Sequence, residues 1–264
     1  MKKRGLALAS LLLALVLAAC ANETESTTVK IGVSPAPHAE IVEQIKEPLA
    51  EQGITLEVVE YTDYIVPNMA LDQGDIDINF FQHVPYLESF ATERNLSLEE
   101  LGPVHIEPMG VFSGEYDSLD AIPEGSEIYI PNDPTNGGRA LLLLEKQGLI
   151  TLAEGAGLEA TEQDIVENPK RLVFTPLEAA IIPTLYRDVA ASVINGNYAL
   201  EHDLNPVADS IALEDAESPY VNILAVREGD AQNETYQKVL EALQSDEIRQ
   251  FIEEKYEGAV VPAF

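Results

Sequence analysis

One arginine stands where it could bind an anion. Arg139 follows the run Pro134-Thr135-Asn136-Gly137-Gly138, which is typical of a helix start, and an apolar run follows it. Its planar guanidinium can donate two parallel hydrogen bonds to a carboxylate, and the N–H groups at a helix start favour a nearby negative charge. We therefore expect Arg139 to bind the carboxylate of a ligand. The alternative is an arginine on the exposed face of a helix.

Two asparagines have side chains that can bind a ligand group of either charge. A side-chain amide offers its carbonyl oxygen to an ammonium and its N–H groups to a carboxylate. Asn195 ends an apolar run at the predicted end of a strand, where α/β folds place ligand contacts, and Asn222 lies in a second strand-like run. The alternative for Asn195 is a turn residue in Asn195-Gly196-Asn197, in which Asn197 is the expected turn residue.

Aromatic residues are concentrated between Phe80 and Tyr86, although the chain is only 6% aromatic. Adjacent strand residues point to opposite faces, so Phe80 and Phe81 cannot both face one ligand and one of them is expected in the core. His83 has two possible roles, because it can donate a hydrogen bond to the ligand or cap the helix that follows.

Three histidines raise a metal site as a distant alternative. His38, His83 and His105, with nearby carboxylates, offer ligands for a metal-import receptor, but their spacings of 45 and 22 residues match no metal-ligand motif. An enzyme is not expected either, because the sequence has no G-x-S-x-G, H-E-x-x-H or P-loop motif. We expect no metal and no cofactor.

The composition excludes further classes. The 264 residues include 15 Lys and Arg against 46 Asp and Glu, and the net charge of −31 excludes nucleic-acid binding because it repels phosphate. The single cysteine can form neither an intrachain disulfide nor a cysteine-based zinc site. Stability must come from burial, for which a hydrophobic content of 46% is ample.

The N-terminus has the pattern of an export signal. A basic start is followed by the uncharged run Gly5 to Ala19, which is too short to span a bilayer and is typical of a signal peptide over residues 1–19. The run ends Leu17-Ala18-Ala19-Cys20, which resembles the bacterial lipobox, so we expect Cys20 to carry a lipid. Residues 20–28 are polar and predict a flexible tether between the lipid and the fold. The predicted location is the cell membrane, on the cell surface or in the periplasm.

The elements that position these residues alternate in the α/β manner, which favours largely parallel strands. Two strand-like runs, near residues 105–111 and 218–224, are placed to connect two compact lobes. We therefore predict lobe 1 over residues 29–107 plus 222–264, lobe 2 over 112–217, and hinge crossings at 108–111 and 218–221. A cleft between lobes is a usual site for a small ligand. The predicted strands are Val29–Val33, Thr55–Tyr61, Asp77–Phe81, Val104–Phe112, Ser126–Ile130, Arg171–Phe174, Ala190–Ile194 and Tyr220–Arg227, and the predicted helices are Ala36–Gln52, Val84–Asn95, Gly137–Gly148, Leu177–Arg187 and Thr235–Tyr256.

Seven short strings follow one another along the chain. They are Pro37-His38-Ala39-Glu40-Ile41, Asp63-Tyr64 with Pro67-Asn68, Phe80-Phe81-Gln82-His83 with Pro85-Tyr86-Leu87, Ile130-Pro131-Asn132-Asp133-Pro134-Thr135-Asn136 with Arg139-Ala140-Leu141, Asn168-Pro169-Lys170, Val193-Ile194-Asn195, and Ser218-Pro219-Tyr220-Val221-Asn222. In this order they resemble the strings of methionine-binding lipoproteins of the NlpA family, and the resemblance runs from about Val29 to the C-terminus.

The resemblance implies a two-lobed periplasmic-binding-protein fold with a ligand cleft, and no catalysis. It implies a monomeric, lipid-anchored receptor that captures methionine, with L-methionine the expected form, and delivers it to the permease and ATPase of an ABC importer. D-methionine, a methionine-containing dipeptide and another apolar amino acid remain alternative ligands. The family's ligand contacts fall on Tyr64, Phe81, His83, Tyr86, Arg139, Asn195 and Asn222. The aromatic members of this set suit a thioether, because sulfur makes favourable contacts with ring edges.

Overall fold

A computed structural model describes residues 26–215 and 218–264 as an α/β protein with two main sheets. Each sheet has its own helices and its own buried core, and we call these units lobe 1 and lobe 2. The two-lobed α/β fold expected from the sequence is confirmed. The predicted signal peptide and the predicted lipidation site Cys20 lie outside the described residues.

The strands alternate with helices along most of the chain. The strands are β1 (Thr27–Val33), β2 (Ile54–Glu60), β3 (Ile78–His83), β4 (Leu98–Ile106), β5 (Gly110–Phe112), β6 (Glu127–Pro131), β7 (Thr151–Leu152), β8 (Ile165–Glu167), β9 (Val173–Leu177), β10 (Ala191–Ile194), β11 (Ala212–Leu213), β12 (Val221–Arg227) and β13 (Val261–Pro262). The α-helices are α1 (Glu40–Glu51), α2 (Val66–Gln73), α3 (Val84–Arg94), α4 (Pro134–Lys146), α5 (Ile182–Leu185), α6 (Gly196–Glu201), α7 (Pro206–Asp209), α8 (Glu234–Leu243) and α9 (Asp246–Tyr256).

Lobe 1 is built on a six-stranded sheet in the order β13-β4-β12-β3-β1-β2. Strand β1 is parallel to β2 and β3, whereas β12 is antiparallel to β3 and β4. Helix α1 places Ile41, Ile45 and Leu49 on one face, as the 3.6-residue period requires, and all three are buried in the core of this sheet. Helices α8 and α9 contribute to the same core.

Lobe 2 is built on a five-stranded sheet in the order β11-β5-β10-β6-β9. Strand β6 is parallel to β9 and β10, and β5 is antiparallel to β10 and β11. Helix α4 supplies Ala140, Leu141, Leu143 and Leu144 to a core that also contains Ile128 of β6. Strands β7 and β8 form a small separate hairpin.

The chain crosses between the lobes twice. It leaves lobe 1 after Ile106, enters the sheet of lobe 2 at Gly110, and returns to lobe 1 with β12, which begins at Val221. Lobe 2 is therefore an insertion between β4 and β12. The exact domain boundaries predicted from the sequence stay predictions, although β1 begins at Thr27, inside the predicted tether.

Several predicted elements differ from the structure. Both main sheets are mixed, so the expectation of largely parallel strands was wrong, because β12 and β5 pair antiparallel with their neighbours. The predicted strand Val104–Phe112 is two strands in different sheets, because residues 107–109 form the crossing. The predicted helix Leu177–Arg187 is helical only over Ile182–Leu185. The predicted helix Thr235–Tyr256 is two helices, because the Ser245 side chain accepts a hydrogen bond from the Ile248 N–H and starts α9.

Helix α2 was not predicted, since it is only eight residues long, from Val66 to Gln73, and a proline stands in its first turn. Among the described residues no helix is long and apolar enough to cross a membrane.

Candidate functional site

A cavity of about 310 Å³ lies between the two lobes, at the ends of β3 and β10, and we call it the interlobe cavity. Strand β3 brings residues 81–83 to it, α4 brings Asn136 and Arg139, and β12 brings Asn222. Its lining residues are Tyr64, Phe81, Gln82, His83, Tyr86, Glu107, Asn136, Arg139, Asn195, Gly196, Asn197 and Asn222.

The structure brings together all seven residues that the sequence predicted as ligand contacts. They come from five separate parts of the chain and line this one cavity. The seven are Tyr64, Phe81, His83, Tyr86, Arg139, Asn195 and Asn222. Their grouping is an observation, and their contact with a ligand stays a prediction.

Arg139 is buried, but one edge of its guanidinium is already occupied. Its Nε lies 3.1 Å from Oε1 of Glu214, and its Nη2 donates to Glu214 Oε2 and, at 2.8 Å, to the Glu107 carbonyl oxygen. The ring of Tyr220 stacks on the guanidinium, with the Arg139 Cζ 4.4 Å from the ring centroid. A two-pronged contact of a ligand carboxylate with the Nε and Nη2 edge is therefore not available in this structure, because Glu214 takes that edge. Among the described residues Nη1 has no hydrogen-bond partner.

The start of α4 is also occupied by a protein group. The Asp133 carboxylate accepts a hydrogen bond from the Asn136 backbone N–H at 2.9 Å and contacts both the Thr135 hydroxyl and the Asn136 side-chain amide. Burial raises the pKa of Asp133, and the hydrogen bonds from Asn136 and Thr135 act in the opposite direction. The expected help of helix-terminal N–H groups in binding a ligand anion is thus not available at Asn136.

His83 uses both of its ring nitrogens within the protein. Its Nδ1 accepts a hydrogen bond from the Tyr86 backbone N–H at 3.2 Å, which caps α3. Nε2 therefore carries the proton and donates to Asn136 Oδ1 at 3.2 Å. Burial lowers the pKa of His83 to about 3, so the ring is neutral. Of the two roles predicted for His83, the helix cap is the one seen, and no N–H of the ring remains to donate to a ligand.

Asn136 joins the two lobes at the cavity. Its side-chain nitrogen donates to Asp133, so its Oδ1 is an acceptor, and this oxygen receives hydrogen bonds from His83 of lobe 1 and from Asn195 Nδ2 at 2.8 Å. Asn195 therefore turns its own Oδ1 away from Asn136, and that oxygen is buried without a hydrogen-bond partner among the described residues. Asn222 directs its Oδ1 toward Nε2 of His38 at 3.1 Å.

The aromatic wall of the cavity consists of Tyr64, Phe81 and Tyr86. The ring centroid of Tyr64 lies 5.9 Å from that of Phe81 and 5.7 Å from that of Tyr86. Phe80 points the other way and is fully buried in the core of lobe 1, as the alternation of strand side chains requires. From lobe 2, Tyr198 stacks on Tyr64 at 4.8 Å between ring centroids.

The three histidines of the metal alternative do not meet. His38 and His105 lie together with Glu107 in a fully buried group, but His83 is not part of that group. Burial lowers the pKa values of His38 and His105 to about 4 and about 3. The predicted trio is therefore not assembled.

Sequence reasoning missed five residues that line the cavity, namely Gln82, Glu107, Asn136, Gly196 and Asn197. Asn197 was expected in a turn, but it is buried in the first turn of α6 and accepts a 2.5 Å hydrogen bond from the Tyr64 hydroxyl. A signal existed for Glu107, since it is the charged residue at the break of a strand-like run. For Asn136 the signal was its position in one of the seven strings.

Comparisons with known proteins agree on one family. The family model described as NlpA lipoprotein matches residues 29–264. A D-methionine-binding lipoprotein MetQ from Salmonella typhimurium is 40% identical over 259 residues, which cover 97% of this chain and 96% of the relative. The crystal structure of a lipoprotein from Ruminococcus gnavus has a TM-score of 0.89 and 47% identity, over 90% of this chain and 100% of the other. A nutrient-binding protein from Burkholderia cenocepacia, solved bound to methionine, has a TM-score of 0.85 and 43% identity over 89% and 100%.

Proposed function

Because the chain belongs to the NlpA lipoprotein family, we propose that it is the substrate-binding lipoprotein of an ABC importer and binds methionine in the interlobe cavity. The methionine assignment follows the Burkholderia cenocepacia structure, which holds methionine, and the Salmonella typhimurium relative, which is named for D-methionine. We propose that the protein is held at the membrane by a lipid on Cys20 and faces away from the cytoplasm.

The observation that carries the proposal is that the cavity is lined by two chemically different sets of residues. One set is a buried arginine and two buried asparagines, Arg139, Asn195 and Asn222. The other set is the aromatic wall of Tyr64, Phe81 and Tyr86. A free amino acid with an uncharged, extended side chain needs both sets, because its charged groups require polar partners once water is excluded.

A methionine-containing dipeptide remains an alternative ligand, because it carries the same charged ends and the same thioether. L-methionine and D-methionine carry the same groups and remain alternatives to one another.

Mass spectrometry of the ligand released by denaturing the purified protein tests the proposal directly. We expect methionine in the released fraction, because a tight receptor retains its solute through purification. A metal ion in its place would support the metal-receptor alternative instead and would contradict the methionine assignment.

A competition series on ligand-stripped protein then tests specificity. Methionine should bind far better than glutamate or lysine, whose side-chain charges would be buried without partners. Norleucine should be rejected only weakly, because it lacks only a sulfur–aromatic contact worth about 0.3 to 1.5 kcal/mol. Glutamate or lysine displacing methionine at comparable concentration would contradict both the methionine assignment and the role of the aromatic wall.

The remaining parts of the proposal concern partners and activity. We propose that the protein acts as a monomer, delivers its ligand to the permease and ATPase of the importer, and catalyses no reaction. The membership in a family of binding proteins supports the absence of catalysis. Nothing in the interlobe cavity resembles a nucleophile paired with a base, since its one histidine caps a helix.

A further inference from the structure

Glu107 lies at the crossing between the lobes and is one of the residues that line the interlobe cavity. From lobe 1, the His105 Nε2 lies 2.7 Å from its Oε1 and the His38 Nε2 lies 3.3 Å from the same oxygen. From lobe 2, the Asn197 backbone N–H donates to its Oε2 at 2.9 Å. The residue is 5% exposed, so its carboxylate is a buried group shared by both lobes.

The hydrogen bonds around Glu107 favour its ionised form. The Nδ1 atom of His105 is buried without a partner, so a proton placed there would be an unsatisfied donor. The neutral His105 ring therefore carries its proton on Nε2 and donates to Glu107 Oε1, whereas His38 Nε2 is hydrogen-bonded to Asn222 Oδ1. Each oxygen of Glu107 thus accepts one hydrogen bond, Oε1 from His105 and Oε2 from the Asn197 N–H.

The negative charge of Glu107 has no cation in contact with its carboxylate among the described residues. Arg139 bonds the Glu107 backbone carbonyl, and its charge is paired with Glu214. Burial raises the pKa of Glu107, and electrostatic interactions with His38 and Arg139 act in the opposite direction. A buried carboxylate without a cationic partner is costly, and a cation entering the cavity would relieve that cost.

An unsatisfied acceptor lies close to Glu107. The Oδ1 of Asn195 is buried without a partner, and its identity as the oxygen is fixed because Asn195 Nδ2 donates to Asn136. The next residue, Gly196, lies against Glu107, since a Cβ built on Gly196 would be 2.8 Å from the Glu107 Cβ. The side chains of Glu107 and Asn195 are therefore neighbours, on either side of Gly196.

We infer that Glu107 is the counter-charge for the α-ammonium of the bound amino acid, with Asn195 Oδ1 accepting another of its N–H bonds. This inference rests on the proposed function and adds a binding residue to it. The two ends of the ligand backbone are then separated, with the carboxylate at Nη1 of Arg139 and the ammonium at Glu107. The cavity should require a free, protonated amino group, and should exclude N-acylated and deaminated analogues.

Calorimetry with two ligands on two proteins tests this assignment. The ligands are methionine and 4-(methylthio)butanoate, which differ in the amino group, and the proteins are the wild type and Glu107→Gln. We expect the wild type to bind methionine more than about a hundredfold more tightly than 4-(methylthio)butanoate. Removing one partner of a buried charge pair lowers affinity by a factor of this size. In Glu107→Gln the preference should fall at least about tenfold, mainly through weaker binding of methionine.

Glu201→Gln is the matched control. Glu201 is another part-buried carboxylate and contacts the side chain of the same Asn197, but it does not line the cavity. It should leave the preference for methionine unchanged. A Glu107→Gln protein that keeps the full wild-type preference would overturn the inference, as would a wild type that binds both ligands equally.

Two further outcomes are separable. If the wild type binds no methionine, the proposed function itself fails. If Glu107→Gln does not fold, Glu107→Asp takes its place, because it keeps the charge but withdraws it by one methylene. The preference of Glu107→Asp for methionine over 4-(methylthio)butanoate must then be smaller than that of the wild type. An unchanged preference in Glu107→Asp overturns the inference.

Discussion

Arg139 is held in position before any ligand arrives. Glu214 binds one edge of its guanidinium, Tyr220 stacks on its face, and the Glu107 carbonyl accepts from Nη2. A side chain fixed by three neighbours loses little conformational freedom on binding, so more of the interaction with a ligand carboxylate becomes affinity. Among the described residues this arrangement leaves Nη1 without a hydrogen-bond partner.

The first prediction is that Arg139→Ala lowers methionine affinity more than a hundredfold, which corresponds to about 3 to 5 kcal/mol. Isothermal titration calorimetry measures the loss. The single variant also leaves the Glu214 carboxylate without its cation, so its melting temperature should fall. In Arg139→Ala/Glu214→Gln the melting temperature should recover while affinity stays low. Near-normal affinity in a folded Arg139→Ala protein would contradict the prediction.

The second prediction concerns pH. His38, His83 and His105 have pKa values of about 4, 3 and 3 in the fold, because burial disfavours their charged forms. Between the ordinary histidine pKa of about 6.5 and these values, the unfolded chain binds more protons, so the free energy of unfolding decreases as pH falls. Each histidine contributes a slope of up to about 1.4 kcal/mol per pH unit. The raised pKa of Glu107 opposes part of this loss.

His105→Gln isolates one of these contributions. Its amide can still donate to Glu107, but it does not titrate. Urea denaturation at pH 7, 6, 5 and 4.5 should show a shallower fall of the unfolding free energy than in the wild type, by up to about 1.4 kcal/mol per pH unit. Parallel curves for the two proteins would rule out this account.

The sequence predicted the members of the cavity better than it predicted their partners. The seven expected residues do line one cavity, because their strings recur in a family with this fold. The engagement of Arg139 by Glu214 was not predictable, since 75 residues separate them and neither lies in a local pattern that requires the other. The hydrogen bonding of Asn136 and Glu107 likewise depends on the packing of two lobes.

At the scale of elements, helix α4 carries Arg139 and is fixed by close packing. Gly138 lies against the turn at Gly157–Glu159, and a Cβ on it would be 2.2 Å from the Leu158 carbonyl oxygen. Backbone atoms on the other side of the contact cannot rotate away. The absence of a side chain at position 138 therefore sets how closely α4 approaches the rest of lobe 2.

The third prediction follows from this contact. Gly138→Ala should lower the free energy of unfolding by about 2 kcal/mol or more. Overpacking usually costs about 1 to 3 kcal/mol, and it costs more where the neighbouring atoms cannot move. Gly102→Ala is the control, because the three atoms nearest to its Cβ would all belong to the side chain of Leu240, which can change rotamer. Chemical denaturation should find Gly138→Ala the more destabilised protein, and the reverse order would contradict the packing argument.

The elements themselves were predictable where the pattern is local. Helix α1 was evident from the spacing of Ile41, Ile45 and Leu49, and β1 to β3 from apolar runs. The break between β4 and β5 was not, because residues 104–112 form one apolar run and only the separation of two sheets interrupts it. The antiparallel place of β12 between β4 and β3 depends on the same long-range arrangement.

For the whole molecule, the dominant electrostatic property is the net charge of −31. Such an excess of one sign raises the repulsion within the compact state, and salt screens repulsion between exposed charges. The fourth prediction is therefore that the melting temperature rises as NaCl increases from about 0.01 M to 1 M, where the Debye length falls from about 30 Å to about 3 Å. We interpret the acidity as suited to a saline environment.

Scanning calorimetry across the salt series measures this effect, and KCl provides the control. Screening depends on ionic strength, so NaCl and KCl should give the same rise at equal concentration. A melting temperature that stays flat or falls with salt would remove the interpretation of the acidic excess.

The insertion of lobe 2 between β4 and β12 sets an order of assembly in time. Lobe 2 is formed from one continuous stretch of chain, so all strands of its sheet are available to pair once β11 has been exported. Strand β4 joins the sheet of lobe 1 only through β12 and β13, which come much later in the chain. Until then the edges of β3 and β4 are open to wrong pairing, a known hazard of non-local sheets. The cavity also receives Asn222 with β12, so the newly exported chain becomes able to bind only near the end of its folding.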